Sequence, residues 1–288
     1  MKTSTHQPLV STQWLSHNLD HHQLQLIDAS WHLPTSKRDG YAEYCQAHIP
    51  GAVFFDHDKV CDTKAKSPHM APSEATFKKW MSVNGINAND HIVIYDCVGL
   101  FSAARLWWLF NLMGINTVSV LDGGFPKWLD EGRKTTHTVT DVKPTPKVTC
   151  NLQPIMKSAG QVEASLETNR FQIVDARAPG RFLGSQPEPR EGLRSGHIPG
   201  SKNVFFKSLL EANQTMKEPL QIEQVFLTAG VDLSMPIITS CGSGVTAAIV
   251  NLALTVIGKT DHYLYDGSWA EWGMGDQRPV SVAHDYSY

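Results

Sequence analysis

The chain has 288 residues, 41% of them hydrophobic and 18% charged, with a net charge of −3. That length suits about two domains with real cores, and the scattered lysines and arginines give no footprint for nucleic acid or an anionic membrane surface. No apolar run approaches the roughly 20 residues that span a bilayer, and the polar, His/Gln-rich stretch from Met1 to Asp20 lacks the apolar core of a signal peptide, so a cytoplasmic location is expected.

In chain order, β-branched runs alternate with helical patterns. Leu26 to Trp31 opens the first half as a strand and its turn. His48-Ile49-Pro50-Gly51 then leads into Ala52 to Phe55. Ile92–Tyr95 and Val118–Leu121 read as strands, and Ser102 to Met113 as a helix closed by Gly114. The same signals then return: Gln172 to Arg177, His197-Ile198-Pro199-Gly200, a strand over Ile237–Thr239, a helix over Thr246 to Ile257 closed by Gly258, and Asp266-Gly267 answering Asp122-Gly123. Four landmarks recur in one order at offsets of 144–149 residues, which marks two copies of one unit. The expected layout is a first domain over 1–138, a linker over 139–155 carrying Pro144, Pro146 and Pro154, and a second domain over 156–288. Strands alternating with helices predict an α/β fold, each domain a mostly parallel sheet flanked by helices. Ligands of such sheets bind beyond the carboxyl ends of the strands, where both Cys97 and Cys241 fall.

The five cysteines are Cys45, Cys61, Cys97, Cys150 and Cys241. Their odd number, wide spacing and lack of a C-x-x-C pair predict free thiols, with no disulfide framework, no zinc site and no cofactor. Cys241 stands apart because Cys241-Gly242-Ser243-Gly244-Val245-Thr246 joins a strand to a helix. Glycines in such a loop let successive N–H groups turn inward as an anion-binding nest, and the helix start adds the positive end of its dipole. A cysteine placed there is expected to hold its sulfur as a nucleophilic thiolate within the amide cradle of Gly242, Gly244, Val245 and Thr246. Cysteine phosphatases use a similar loop, but with an arginine six residues after the cysteine to grip the phosphoryl oxygens. Six residues after Cys241 stands Ala247, and six after Cys97 stands Ala103, so phosphatase chemistry is disfavoured.

The 241–247 segment, the stretch Gly180-Arg181-Phe182 through Pro187-Glu188-Pro189-Arg190, the Trp107-Trp108 pair and Asp266-Gly267-Ser268-Trp269 together resemble the 3-mercaptopyruvate sulfurtransferases of the tandem rhodanese family, over essentially the whole chain. The resemblance implies two rhodanese-like domains, the first catalytically silent. It further implies transfer of sulfur from 3-mercaptopyruvate through a Cys241 persulfide, release of pyruvate, and passage of the sulfur to an acceptor thiol such as thioredoxin or a small thiol, or to cyanide. Arg181 and Arg190 match the family's carboxylate-binding arginines, and an arginine fork suits a planar α-keto acid on independent grounds. Ser243 is a candidate for polarising the substrate or relaying a proton. A Ser–His–Asp relay proposed for the family has His48 and Asp39 as its nearest matches here. The competing reading of His48 is structural, because His-Ile-Pro-Gly recurs at His197.

Cys97 overlays Cys241, yet Val98, Leu100 and Phe101 replace Gly242, Gly244 and Val245. Those side chains are expected to crowd the loop and leave Cys97 a vestigial thiol. Two other functions stay open. Thiosulfate is one alternative donor; as a dianion it wants positive charge beside the cysteine, which Gly242 and Ser243 themselves lack. A persulfide carrier fed by another enzyme is the second, although a carrier has no need of the Arg181/Arg190 pair.

Overall fold

The computed structural model describes residues 7–145 and 148–282. The chain divides into two compact units. The first comprises Met1–Thr63, Ala71–Gln153 and Glu211–Met216; the second comprises Lys64–Met70, Pro154–Leu210 and Lys217–Tyr288. The units are therefore not the two uninterrupted stretches that the repeat suggests. The segment Lys64–Met70 leaves its sequence neighbours to join the second unit, and residues 139–153 of the expected 139–155 linker belong to the first.

The first unit contains strands β1 (Leu9–Val10), β2 (Leu24–Asp28), β3 (Ala52–Phe54), β4 (His91–Tyr95) and β5 (Val118–Leu121). Its helices are α1 (Thr12–Asn18), α2 (Gly40–Gln46), α3 (Glu74–Val83), α4 (Ala103–Leu112) and α5 (Gly124–Asp130). The strands form one parallel sheet in the order β1-β5-β4-β2-β3. The second unit repeats the plan with β6 (Met156–Lys157), β7 (Gln172–Asp175), β8 (Lys202–Asn203), β9 (Ile237–Ser240) and β10 (His262–Tyr265), ordered β6-β10-β9-β7-β8 and again parallel. Its helices are α6 (Ala159–Thr168), α7 (Pro179–Phe182), α8 (Pro219–Thr228), α9 (Ala247–Val256) and α10 (Ser268–Trp272).

The patterning explains the layers. All four residues of β9 are buried, as a parallel strand covered on both faces requires. Helix α9 is buried at every position from Ala247 to Leu254, because these residues are apolar on every face apart from Asn251, whose side chain bonds Thr239 and His262. The core of the second unit gathers Val162, Ile173, Ile198, Ile238, Tyr265, Trp269 and Trp272 between sheet and helices. In that unit β7 leads to β8 on one side, and the chain returns to β9 on the other. The carboxyl ends of β7 and β9 thus flank the switch point where loops diverge and open sheets bind ligands.

Candidate active site of the second unit

The loop from Cys241 to Thr246 leaves the carboxyl end of β9 at that switch point. Cys241 is 2% exposed and Ser243 5%. Gly244 lies at φ +78, a left-handed conformation that the loop needs and a side chain resists. The start of α10 fixes the outward face of the loop. The Trp269 N–H donates to the Cys241 carbonyl and the Ala270 N–H to that of Gly242, both at 2.9 Å. The Cys241 N–H donates to Ser268 Oγ at 3.1 Å, and that hydroxyl donates to the Tyr265 carbonyl. These bonds hold the Cys241 and Gly242 carbonyls toward α10. Thr246, the N-cap of α9, makes no side-chain cap.

Two guanidinium groups close over this loop. A Cβ built on Gly242 would lie 3.1 Å from Arg181 Nη2 and 3.8 Å from Arg190 Nη1, so the missing side chain is what admits the arginines beside the cysteine. Arg190 Nη2 also reaches Ser243 Oγ at 3.5 Å, the limit of hydrogen-bond range. Arg181 is held by Glu188, whose carboxylate accepts from Arg181 Nε at 3.1 Å and from Arg177 Nη1 at 2.7 Å. Arg177 is in turn clasped by Asp175 at the end of β7, donates to the Gly196 carbonyl and lies 4.2 Å over the Trp269 ring. The carboxylates of Asp175 and Glu188 raise the Arg177 pKa against the opposing effect of burial. Two buried acids thus balance two arginines, and Glu188 sets where Arg181 points.

A histidine that the sequence did not single out stands next to Ser243. His69 Nδ1 lies 3.3 Å from Ser243 Oγ; its ring is largely buried, and its backbone sits at φ +59, rare for a non-glycine residue. Nothing local in Ser67-Pro68-His69-Met70 marks it among 13 histidines. Its place follows from the crossing of Lys64–Met70 into the second unit.

The two relay candidates taken from the family have other partners. His48 is fully buried, donates through Nδ1 to the Tyr44 carbonyl at 2.7 Å, and stacks on the Tyr44 ring at 4.0 Å; its Nε2 has no partner among the described residues. Since a carbonyl only accepts, Nδ1 carries the proton. His197 repeats the arrangement on Phe182, at 2.7 Å to the carbonyl and 3.9 Å between rings. Asp39 caps α2, accepting from the Tyr41 and Ala42 N–H groups at 2.9 and 3.1 Å. These contacts support the structural reading of the His-Ile-Pro-Gly turns.

The equivalent loop of the first unit is filled differently. Asp96, at the position of Ser240, turns its carboxylate into the loop and accepts from the N–H groups of Val98, Gly99, Phe101 and Ala103 at 2.7–2.9 Å. The chain fills this cradle with its own anion. The feature that sets this loop apart is thus the Asp96 carboxylate, in addition to the side chains of Val98, Leu100 and Phe101. Burial, with the charges of Asp96 and Glu43 adding to it, pushes the Cys97 thiol well above its ordinary pKa. In the second unit Ser240 carries no charge, and its buried Oγ has no partner among the described residues.

Glu188→Gln is expected to raise KM for an anionic substrate about tenfold or more with a smaller change in kcat, because Arg181 loses its guide. It is also expected to destabilise the fold by about 3 kcal/mol, since a buried ionic cluster loses one partner. Steady-state kinetics and urea unfolding check both; an unchanged KM would show that Arg181 needs no guide.

Comparisons with known proteins agree with this architecture. The rhodanese-like domain family matches residues 11–131 and 158–274. The chain is 43% identical to the 3-mercaptopyruvate sulfurtransferase of Rattus norvegicus over 93% of each chain. It is 44% identical to the thiosulfate sulfurtransferase of Mus musculus, covering 92% of this chain and 91% of that one. The crystal structure of SseA from Escherichia coli, described as a 3-mercaptopyruvate sulfotransferase, matches with a TM-score of 0.84 at 36% identity, over 92% of this chain and 99% of that one. Among the described residues no helix is long and apolar enough to cross a membrane. A tandem of two parallel five-stranded sheets, matched in both halves, makes this chain a member of the rhodanese-like domain family.

Proposed function

We propose that the protein is a sulfurtransferase that takes sulfur from 3-mercaptopyruvate onto Cys241 and passes it to an acceptor thiol or to cyanide. The observation that carries this reading is the convergence of Arg181 and Arg190 over Gly242, beside a cysteine at the start of a glycine-containing strand-to-helix loop. A small α-keto acid presents a carboxylate and a carbonyl in one plane, and two planar guanidinium groups suit both.

The Cys241 thiolate attacks the thiol sulfur of the substrate. The carbon–sulfur bond breaks, and its electron pair passes into the enolate of pyruvate, whose developing oxyanion lies among the arginines and the Ser243 hydroxyl. A proton on the enolate carbon then completes pyruvate. Ser243, donating to His69 Nδ1 while accepting from Arg190, links that oxygen to a group able to move a proton. Cys241 is left as a persulfide whose outer sulfur faces the loop amides. An acceptor thiolate attacks that outer sulfur, forms its own persulfide and releases the Cys241 thiolate; cyanide in its place leaves as thiocyanate. Two half-reactions through one covalent intermediate give ping-pong kinetics. The acceptors proposed are thioredoxin or a small thiol, and the compartment proposed is the cytoplasm, which the five free cysteines support.

Thiosulfate is the second reading, favoured by the sulfurtransferases of that name among the relatives. The absence of positive charge in Gly242-Ser243 does not disfavour it, because Arg181 and Arg190 bring charge to the same place. What favours the keto acid is the Ser243–His69 pair, which has a carbonyl oxygen to serve in 3-mercaptopyruvate and none in thiosulfate. Steady-state kinetics with both donors is expected to give at least a tenfold higher kcat/KM for 3-mercaptopyruvate. Arg190→Ala is expected to lower that value about 10²-fold. Equal or better turnover of thiosulfate overturns the donor assignment. Turnover of neither donor, with a persulfide on Cys241 supplied by a cysteine desulfurase, would make the protein a carrier.

A further inference from the structure

Cys97 does not stand alone in the first unit. Its Sγ lies 3.3 Å from His32 Nε2, and the same nitrogen lies 2.9 Å from Glu43 Oε2. Sγ, Nε2 and a carboxylate oxygen of Glu43 all fall within 4.8 Å of one another. They come from three places that the sheet brings together: His32 from the loop after β2, Glu43 from α2, and Cys97 from the loop after β4. We propose that His32, Glu43 and Cys97 form a binding site for a divalent cation of the zinc type.

The donor set carries the assignment. Thiolate, imidazole and carboxylate are the three protein ligand types of zinc, whereas calcium and magnesium take oxygen alone. Tetrahedral zinc with ordinary bond lengths would hold sulfur and nitrogen about 3.6 Å apart, and nitrogen and oxygen about 3.3 Å apart. The observed 3.3 and 2.9 Å need to open by only a few tenths of an ångström. The three donor atoms converge on one point, the ring nitrogen facing both the sulfur and the carboxylate oxygen, so a cation between them can be held by all three at once. On loading, the Cys97 thiol releases its proton to solvent, and His32 turns its Nε2 lone pair to the metal with its proton on Nδ1.

The surroundings suit such a site. Arg38 Nε donates to the outer oxygen of Glu43, Oε1, at 2.7 Å and so orients the carboxylate, as outer partners of metal ligands do. Its Nη2 gives up the 2.9 Å contact to Oε2 when the cation takes that oxygen. Three protein ligands leave a fourth position for water or a small ligand. A surface cavity of about 420 Å³, lined by His32, Arg38, Asp39 and Asp58 among others, gives the cation a way in. Wide sequence spacing hides the site: the ligands at 32, 43 and 97 have none of the short Cys and His intervals by which zinc sites are read.

The test uses the full chain, freed of metal by dialysis and titrated with Co²⁺ as the spectroscopic probe and then with Zn²⁺ as competitor. Cys241→Ser serves as the background, so that Cys241 cannot supply the thiolate. One Co²⁺ per chain is expected at micromolar concentration, with a sulfur-to-cobalt charge-transfer band that Zn²⁺ abolishes. Adding Cys97→Ser removes the band. Adding His32→Ala or Glu43→Gln weakens binding by about tenfold or more, with circular dichroism showing the fold retained. The site is refuted if the Cys241→Ser protein shows no such band, if the band survives Cys97→Ser, or if both His32→Ala and Glu43→Gln bind Co²⁺ as tightly as their parent.

Discussion

Cys241→Ser is expected to lower sulfur transfer by more than about 10⁴-fold, while Cys97→Ser keeps activity within about threefold of wild type. Both residues follow the carboxyl end of a central strand, β9 or β4, and both precede an apolar helix. Position alone therefore does not separate them. The contacts do. Cys241 has the guanidinium groups of Arg181 and Arg190 beside the next residue, and Ser243 with His69 two residues on. Cys97 has the carboxylates of Asp96 and Glu43 near it and a thiol pushed up by burial, so the thiolate needed for attack is scarce at neutral pH. A serine hydroxyl at 241 is isosteric but cannot form a persulfide, so the first half-reaction stops before pyruvate is released. Mass spectrometry after incubation with 3-mercaptopyruvate should find the added sulfur on Cys241 in wild type and on neither residue in Cys241→Ser. Sulfur on Cys97 together with surviving turnover would reverse the assignment.

Much of this arrangement is legible in the sequence, and the rest is hidden for identifiable reasons. The alternation of short β-branched runs with apolar helices gives the sheet directly: Ile237–Thr239 and Val118–Leu121 fall on β9 and β5, and the helix closed by Gly258 is α9. Arg181 and Arg190 are readable because they sit in one Gly/Pro-rich stretch whose glycine and prolines announce a shaped loop. His69 is not, because no local pattern says that Lys64–Met70 leaves the first unit for the second. Glu188 stands in view between two prolines, but its task depends on Arg177 and Asp175, which a linear reading takes as the end of a strand. His48 is conspicuous in the sequence for a reason that its repeat already suggests. Its motif serves a turn in which imidazole stacks on an aromatic ring and bonds a carbonyl, once in each unit.

Ser240→Asp is expected to disable the second unit by filling its loop with a carboxylate, as Asp96 fills the loop of the first. Asp96 shows that a carboxylate one residue before the cysteine reaches four loop amides without leaving its strand end. The aligned amides in the second unit belong to Gly242, Ser243, Val245 and Ala247, at the mouth where an anionic sulfur must rest. A carboxylate there takes donors from the persulfide and places a negative charge against both the thiolate and the incoming keto acid. Removal of a single oxyanion donor costs about 10²–10³ in rate, so loss of several predicts a fall in kcat/KM of at least about 10³-fold. The protein should remain folded, because the new carboxylate meets the same donors that satisfy Asp96. Ser240→Asn separates the two contributions. It fills the same space with a neutral side chain and is expected to cost less, by about tenfold. Kinetics on the three proteins, with alkylation of Cys241 by iodoacetamide as a direct measure of thiolate reactivity, decides the matter. Activity of Ser240→Asp within tenfold of wild type would mean that the loop amides do not hold the reacting sulfur, and that the arginines alone account for the difference between the two cysteines.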